Sequence, residues 1–135
     1  MSPKTSHDET EQLITRLVRH AGYTQPTPLQ SAVVPLFMEG KDLVVESKRG
    51  EGRTGAMVIP LLAKLDRKHD STIRAIILTG SPEDVHHIAD QYRRFAPRTG
   101  HRPVLATVGR ETSVRKEIRT LKKQVDILVG TPDRI

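Results

Sequence analysis

The stretch LVVESKRGEGRTGAMVIP, residues 43–60, decides the fold of this 135-residue chain. An apolar run enters a short glycine-rich turn, and the hydroxyl residue Thr54 then opens an apolar helix. Gly50 and Gly52 can adopt backbone angles that other residues resist, so successive N–H groups can converge on one anion. The positive end of the following helix points at the same place. The stretch predicts a phosphate-binding turn, although a tight strand–helix connection without a ligand fits the same residues.

The charged residues of this turn depart from the usual phosphate-binding pattern. Arg53 stands where such a loop carries lysine, and Arg49 adds a second large cation. A planar guanidinium needs more room than a lysine ammonium and prefers two-pronged contacts. Glu51 places a carboxylate between the two glycines, where it faces the expected polyanion.

Helical and strand patterns alternate on both sides of the turn. Two helical stripes precede it, ending at Gly22 and Gly40. Nearly all-apolar runs predict strands at residues 42–46, 74–79, 103–108 and 126–129, and helical patterns at 54–68, 82–95 and 113–123 separate them. This alternation predicts an α/β fold with a parallel sheet covered by helices on both faces. We expect residues 1–135 to form one domain, with residues 1–7 disordered.

Composition excludes several classes of protein. The chain has no cysteine, which excludes disulfides, thiolate metal sites and a cysteine nucleophile. It contains no apolar run long enough to span a membrane and no signal-peptide core, so we expect a soluble, cytoplasmic protein. The net charge of +6 fits a polyanionic partner, and equally a basic surface that maintains solubility.

Each predicted strand ends in a cluster of small or turn-forming residues. The carboxyl ends of parallel strands share one edge of the sheet, where open α/β proteins bind ligands. Any strand–helix loop needs such residues, so the prediction depends on the order and spacing of the four clusters.

That order resembles the first RecA-like domain of DEAD-box RNA helicases, a fold of the P-loop NTPase type. Residues 22–30, GYTQPTPLQ, resemble the Q motif of that family, and residues 47–54, SKRGEGRT, occupy the place of its phosphate loop. Residues 80–84, GSPED, stand for its P-T-R-E-L motif. Residues 108–110, VGR, stand for its glycine pair, and residues 131–134, TPDR, for T-P-G-R. The resemblance runs from about Leu13 to the last residue.

The resemblance implies an ATP or ADP site with Mg²⁺. Gln30 would read the adenine edge, because an amide both donates and accepts, and Thr54 would be the metal ligand, acting together with the nucleotide. Leu13 replaces the aromatic residue on which the family stacks adenine, and Arg49 and Arg53 alter the loop, so weak or lost binding is expected. The candidate cofactor-binding residues are Tyr23, Gln25, Gln30, Ser47, Gly50, Glu51, Gly52, Arg53 and Thr54.

The resemblance also implies contact with the backbone of single-stranded RNA, without reading of its sequence. The candidate RNA-binding residues are Gly80, Ser81, Gly109, Arg110, Thr131 and Arg134. The sequence equally fits a structural role for two of them, with Thr131 as a helix cap and Arg134 as a solvated surface charge. Other expected partners are the remainder of a helicase or an RNA-processing complex.

The D-E-A-D and S-A-T motifs and the second helicase domain are not among the 135 residues. No catalytic residue is therefore assigned, and this chain by itself is not expected to hydrolyse ATP. The expected function is that of an N-terminal part of a DEAD-box-like helicase domain that binds adenine nucleotide weakly and RNA backbone. The alternative is a non-catalytic, degenerate RecA-like RNA-binding or scaffold module that does not bind ATP.

Overall fold

The computed structural model describes residues 7–65, 72–96, 103–109, 113–122 and 124–135. Its elements, in chain order, are α1 (His7–His20), α2 (Pro28–Met38), α3 (Arg53–Lys64), β1 (Ala75–Leu78), α4 (Pro82–Phe95), β2 (Leu105–Val108), α5 (Val114–Leu121) and β3 (Ile127–Gly130). The described residues fall into two compact units, one built on α1, α2, α3 and residues 94–96, the other on the strands, α5 and the rest of α4. Of the predicted disordered segment, residues 1–6 lie outside the described residues and His7 begins α1. No described helix is long and apolar enough to cross a membrane.

The first unit is a packed group of helices whose ends follow local sequence signals. The inner stripe of α1 is buried, with Val18 only 1% exposed. This helix ends at His20, and Gly22, with a φ of +96°, reverses the chain so that the Tyr23 N–H bonds the Val18 carbonyl at 3.1 Å. Helix α3 begins at Arg53, directly behind the glycine turn as expected, and buries most of its length.

The second unit contains a three-stranded sheet in the order β1-β3-β2, and both pairings are parallel. Ile77 and Val129 are register partners on one face, whereas Leu128 and Ala106 are partners on the other. The connections β1–α4–β2 and β2–α5–β3 cross the sheet in opposite directions, so the right-handed rule places the two helices on opposite faces. The predicted parallel α/β fold is confirmed.

The prediction of a first strand at residues 42–46 is wrong. Residues 42–46 are described, yet they form no strand, and Val44 is 98% exposed. An apolar run becomes a strand only when a neighbouring strand accepts its backbone hydrogen bonds. Among the described residues no backbone hydrogen bond pairs residues 42–46 with a strand, so the run has no regular secondary structure and is mostly exposed.

A buried carboxylate holds together the amino ends of the three strands. Asp126, which is 0% exposed, bonds the Arg74 guanidinium through Oδ1 and the Val104 N–H through Oδ2, each at 2.8 Å. Its own carbonyl accepts from the N–H groups of Arg74 and Ala75. One residue before β3 therefore fixes the starts of β1 and β2 against it.

Candidate functional site

The glycine turn of the first unit has the backbone shape of an anion-binding loop. Gly50 and Gly52 have φ values of +90° and +84°, in the left-handed region that glycine alone adopts without strain. The N–H groups of Gly50, Gly52, Arg53 and Thr54 have no hydrogen-bond acceptor among the described residues. The last two belong to the first turn of α3, where a helix leaves its N–H groups free. The turn therefore presents several unsatisfied donors beside the positive end of a helix.

Gln30 joins this turn to the segment that resembles the Q motif. Its Oε1 accepts from the Thr27 N–H at 3.0 Å, and its Nε2 donates to the Gly52 carbonyl at 3.3 Å. Thr27 in return accepts from the Gln30 N–H, which completes a capping box at the start of α2. The two side-chain bonds leave one N–H and one acceptor lone pair of the amide unused. Gln30 is 5% exposed, so its side chain is buried against the loop that it supports.

The close approach of Gln30 explains why two nearby positions are glycine. A Cβ on Gly52 would lie 2.7 Å from Gln30 Nε2 and 2.8 Å from Thr27 Oγ1. A Cβ on Gly55 would overlap Gln30 Nε2 and lie 3.1 Å from Phe95 Cζ. Because glycine has no Cβ at these two positions, the Gln30 amide can lie against the loop and the first turn of α3.

The charged side chains of the turn are engaged with the turn itself. The Arg53 guanidinium donates from Nε to Ser47 Oγ at 2.9 Å and from Nη2 to the Ser47 carbonyl. Glu51 Oε1 accepts from the Lys48 N–H at 2.9 Å. Arg53 was expected to meet a phosphate and Glu51 to repel it. Both side chains are instead hydrogen-bonded to other residues of the turn.

The remaining predicted nucleotide residues of the first unit are spread around this loop. Thr54 is half-buried in the first turn of α3, and Gln25 is exposed. Tyr23 is 44% exposed and stacks on Phe95 with ring centroids 6.0 Å apart, while the Arg94 guanidinium lies 5.2 Å from its ring centre. Tyr23 is thus held by an aromatic and a cation, a role that sequence reasoning did not give to Arg94 or Phe95.

A second cluster lies at the carboxyl ends of β2 and β3, in the second unit. Glu117, 6% exposed, accepts from the Gly109 N–H at 2.8 Å and pairs with the Arg134 guanidinium at 2.6 Å. Thr131 is also buried, and a Cβ on Gly109 would lie 2.6 Å from its Oγ1. The structure thus brings together three of the predicted RNA-binding residues and satisfies two of them internally.

The other predicted RNA-binding residues are more open or lie elsewhere. Gly80 is exposed, and half-buried Ser81 accepts from the Asp84 N–H through Oγ, as the cap of α4. Glu83 and Asp84 stand in the first turn of that helix, where they oppose a phosphate. Arg110 lies outside the described residues.

Sequence reasoning missed Glu117, the buried partner of Arg134. One signal could have identified it. Helix α5 has the sequence VRKEIRTL, in which Glu117 is the only acidic residue beside three cations. The apolar residues Val114, Ile118 and Leu121 are exposed on this helix, whereas Glu117 is buried. A helix that buries its single carboxylate does so for a specific partner.

The fold and these two clusters define the class of P-loop, RecA-like domains. Residues 27–135 match the family model described as DEAD/DEAH box helicase. The chain is 33% identical over 132 residues to an ATP-dependent RNA helicase, CshA, of Listeria monocytogenes, covering 98% of this chain and 25% of that protein. It is 32% identical to the RNA helicase CrhR of a Synechocystis species, covering 89% of this chain and 24% of that one.

Known structures agree with the sequence relatives. The crystal structure of a DEAD box protein from the hyperthermophile Methanococcus jannaschii superposes with a TM-score of 0.76 at 31% identity, over 90% of this chain and 32% of that one. The ADP-bound RNA helicase Prp28 of Chaetomium thermophilum superposes with a TM-score of 0.75 at 27% identity, over 98% of this chain and 34% of that one. The chain belongs to the DEAD/DEAH box helicase family and corresponds to its N-terminal RecA-like domain. It spans about a quarter of the length of the curated relatives.

Proposed function

We propose that this chain is the N-terminal part of a DEAD-box RNA helicase domain that binds adenine nucleotide weakly through the Q segment and glycine turn. The observation that carries the proposal is the hydrogen bond from Gln30 Nε2 to the Gly52 carbonyl, which couples a purine-reading amide to a phosphate loop. The unsatisfied N–H groups of the turn supply donors for phosphate oxygens. The relative CshA is named an ATP-dependent RNA helicase, and one similar structure holds ADP, which supports the same ligand class here.

Thr54 is the residue that would contact Mg²⁺ in this proposal. Its hydroxyl stands in the first turn of α3, directly behind the glycine turn. Hydroxyl oxygens suit Mg²⁺, which usually retains waters and shares phosphate oxygens with its nucleotide. When bound, the metal would offset phosphate charge. Binding and orienting the nucleotide are the tasks left to Gln30, Thr54 and the loop N–H groups.

Weak affinity follows from the contacts that the loop makes with itself. Arg53 must leave Ser47 before it can meet a phosphate, and Glu51 repels the ligand. We therefore expect binding near the high-micromolar range, about −5 to −6 kcal/mol. Calorimetry with ADP, ATP and GDP tests this expectation. ADP should bind better than GDP in the wild type, and the preference should vanish in Gln30→Ala, with circular dichroism as the folding control. Equal affinity for ADP and GDP in the wild type would contradict the adenine site.

We further propose that the carboxyl ends of the strands follow the backbone of single-stranded RNA, in a cytoplasmic protein. Exposed Gly80, the Ser81 cap and the cations Arg110 and Arg134 are the residues assigned to this contact. Support comes from the net charge of +6 and from the relatives, which are named RNA helicases. Phosphate contacts of this kind give affinity that depends on salt and little on sequence.

One observation favours the alternative, a scaffold module that does not bind ATP. Both charged side chains that flank Gly52, Glu51 and Arg53, are hydrogen-bonded within the loop. If calorimetry detects neither ADP nor ATP while RNA binding persists, the scaffold function replaces the nucleotide-binding one.

A further inference from the structure

Glu51 is the one acidic residue of the turn SKRGEGRT, residues 47–54, which also holds the three cations Lys48, Arg49 and Arg53. Its carboxylate is exposed and bonds the neutral Lys48 N–H at 2.9 Å. Within the described part of the chain no Lys or Arg forms a salt bridge with Glu51, and one cation of the turn, Arg53, is bound to Ser47. The residue lies between Gly50 and Gly52, whose backbone forms the anion-binding turn.

We infer that Glu51 is a specificity-determining residue, which makes the loop select its phosphate ligands by their negative charge. This inference rests on the proposed nucleotide site. Every further negative charge on a ligand meets the same carboxylate, so repulsion grows from AMP to ADP to ATP. The attraction of the loop N–H groups and of the α3 N-terminus grows over the same series, and Glu51 offsets part of that gain. Compared with the same loop without this charge, the loop therefore loses more affinity for ATP than for AMP.

Glu51 also occupies a donor of the loop. The Lys48 N–H is given to the carboxylate, which acts as an internal anion at one end of the turn. Two substitutions separate the effect of the Glu51 charge from the effect of its hydrogen bond with the Lys48 N–H. In Glu51→Gln the amide oxygen can still accept from Lys48 while the charge is gone, whereas Glu51→Ala removes both.

The experiment is calorimetric titration of AMP, ADP and ATP at low salt, without Mg²⁺, into the wild type and Glu51→Gln. Coulomb repulsion across roughly 6 Å of water-like surroundings corresponds to about threefold in affinity for each unit of ligand charge. We expect the gain in Glu51→Gln to rise along the series by about that factor per step, and to shrink when salt is added. A larger gain in Glu51→Ala would measure the occupancy of the Lys48 N–H.

The matched control is Glu46→Gln, which removes an equal charge from an exposed carboxylate outside the glycine turn. It should alter the three affinities little and evenly. An equal gain for AMP, ADP and ATP in Glu51→Gln, or identical behaviour of Glu46→Gln, would overturn the inference while leaving the nucleotide site intact. If neither the wild type nor Glu51→Gln binds any of the three, the proposed nucleotide-binding function falls with it.

Discussion

Arg134 and Glu117 form an ion pair at the carboxyl ends of the strands, with Nη2 of the guanidinium 2.6 Å from Oε2 of the carboxylate. The other oxygen of Glu117 accepts from the Gly109 N–H at 2.8 Å. One carboxylate thus connects α5, the end of β2 and the segment after β3. Since Arg134 is also a proposed RNA contact, a phosphate would have to compete with Glu117 for the same guanidinium.

This competition predicts the behaviour of Glu117→Gln. The amide keeps an acceptor for Gly109 but loses the charge that holds Arg134, so single-stranded RNA should bind more tightly, by about threefold. The free energy of unfolding should fall by about 1–3 kcal/mol, since a nearly buried charged hydrogen bond is weakened. Fluorescence anisotropy and urea unfolding measure the two effects. Asp133→Asn removes the same charge from an exposed neighbour of Arg134 and is the control. An equal rise in RNA affinity there would show that release of Arg134 is not the cause.

Salt dependence tests the RNA surface directly. Binding of single-stranded RNA should weaken steeply as salt rises, because phosphate contacts release counterions. Replacing Arg110 and Arg134 together with Ala should reduce affinity and lower the magnitude of the salt slope by about 1.4, which is about 0.7 for each lost phosphate contact. Replacing Lys122 and Lys123 instead should change the slope less. If the lysine pair has the larger effect, the basic charge is a general surface property and the strand-end assignment is wrong.

Arg53→Lys should strengthen ATP binding, by about threefold to tenfold. The lysine ammonium cannot reproduce both bonds that Arg53 makes to Ser47, and its compact charge suits a phosphate. Calorimetry with ATP compares the variant with Lys48→Arg, which alters a cation of the same turn that no ion pair engages in the described residues. No gain in Arg53→Lys would mean that the loop differs from a working phosphate site by more than this residue.

Gly55→Ala should destabilise the first unit although alanine favours helices. Its methyl group would overlap Gln30 Nε2 and lie 3.1 Å from Phe95 Cζ, so the loop support must shift. Overpacking of this kind costs about 1–3 kcal/mol. Gly80→Ala is the control, because nothing lies within 4 Å of a Cβ there. Thermal unfolding of both variants checks the expectation, which equal midpoints would contradict.

Asp126→Asn should lower the free energy of unfolding by about 3 kcal/mol, since it leaves the Arg74 guanidinium without its buried counter-charge. Urea unfolding, with the exposed Asp133→Asn as control, measures the difference. A change within about 0.5 kcal/mol would contradict a role for Asp126 in fixing the strand starts.

Local signals in the sequence determined most of the elements. The apolar runs that became β1, β2 and β3 are continuous, and α4 spans residues 82–95 as expected, because the spacing of its apolar side chains fixes a helical period. The glycines at positions 22, 40, 50 and 52 all adopt positive φ, an outcome that their missing side chain favours. Membership of the family followed from the order of short motifs, since each motif is a local arrangement of turn and helix start.

Only the tertiary structure decided which residues pair with a distant partner and which remain free to bind a ligand. Val44 and its neighbours have the composition of a strand, but strand formation needs a partner that no local sequence supplies. The engagement of Arg134 by Glu117 depends on residues 17 positions apart, and that of Gln30 by Gly52 on residues 22 apart. A motif states which side chain is present, whereas its hydrogen-bond partners are set by packing between distant segments. For that reason the sequence identified the glycine turn and the strand ends, and only the structure showed that Arg53 and Arg134 are already bound to Ser47 and Glu117.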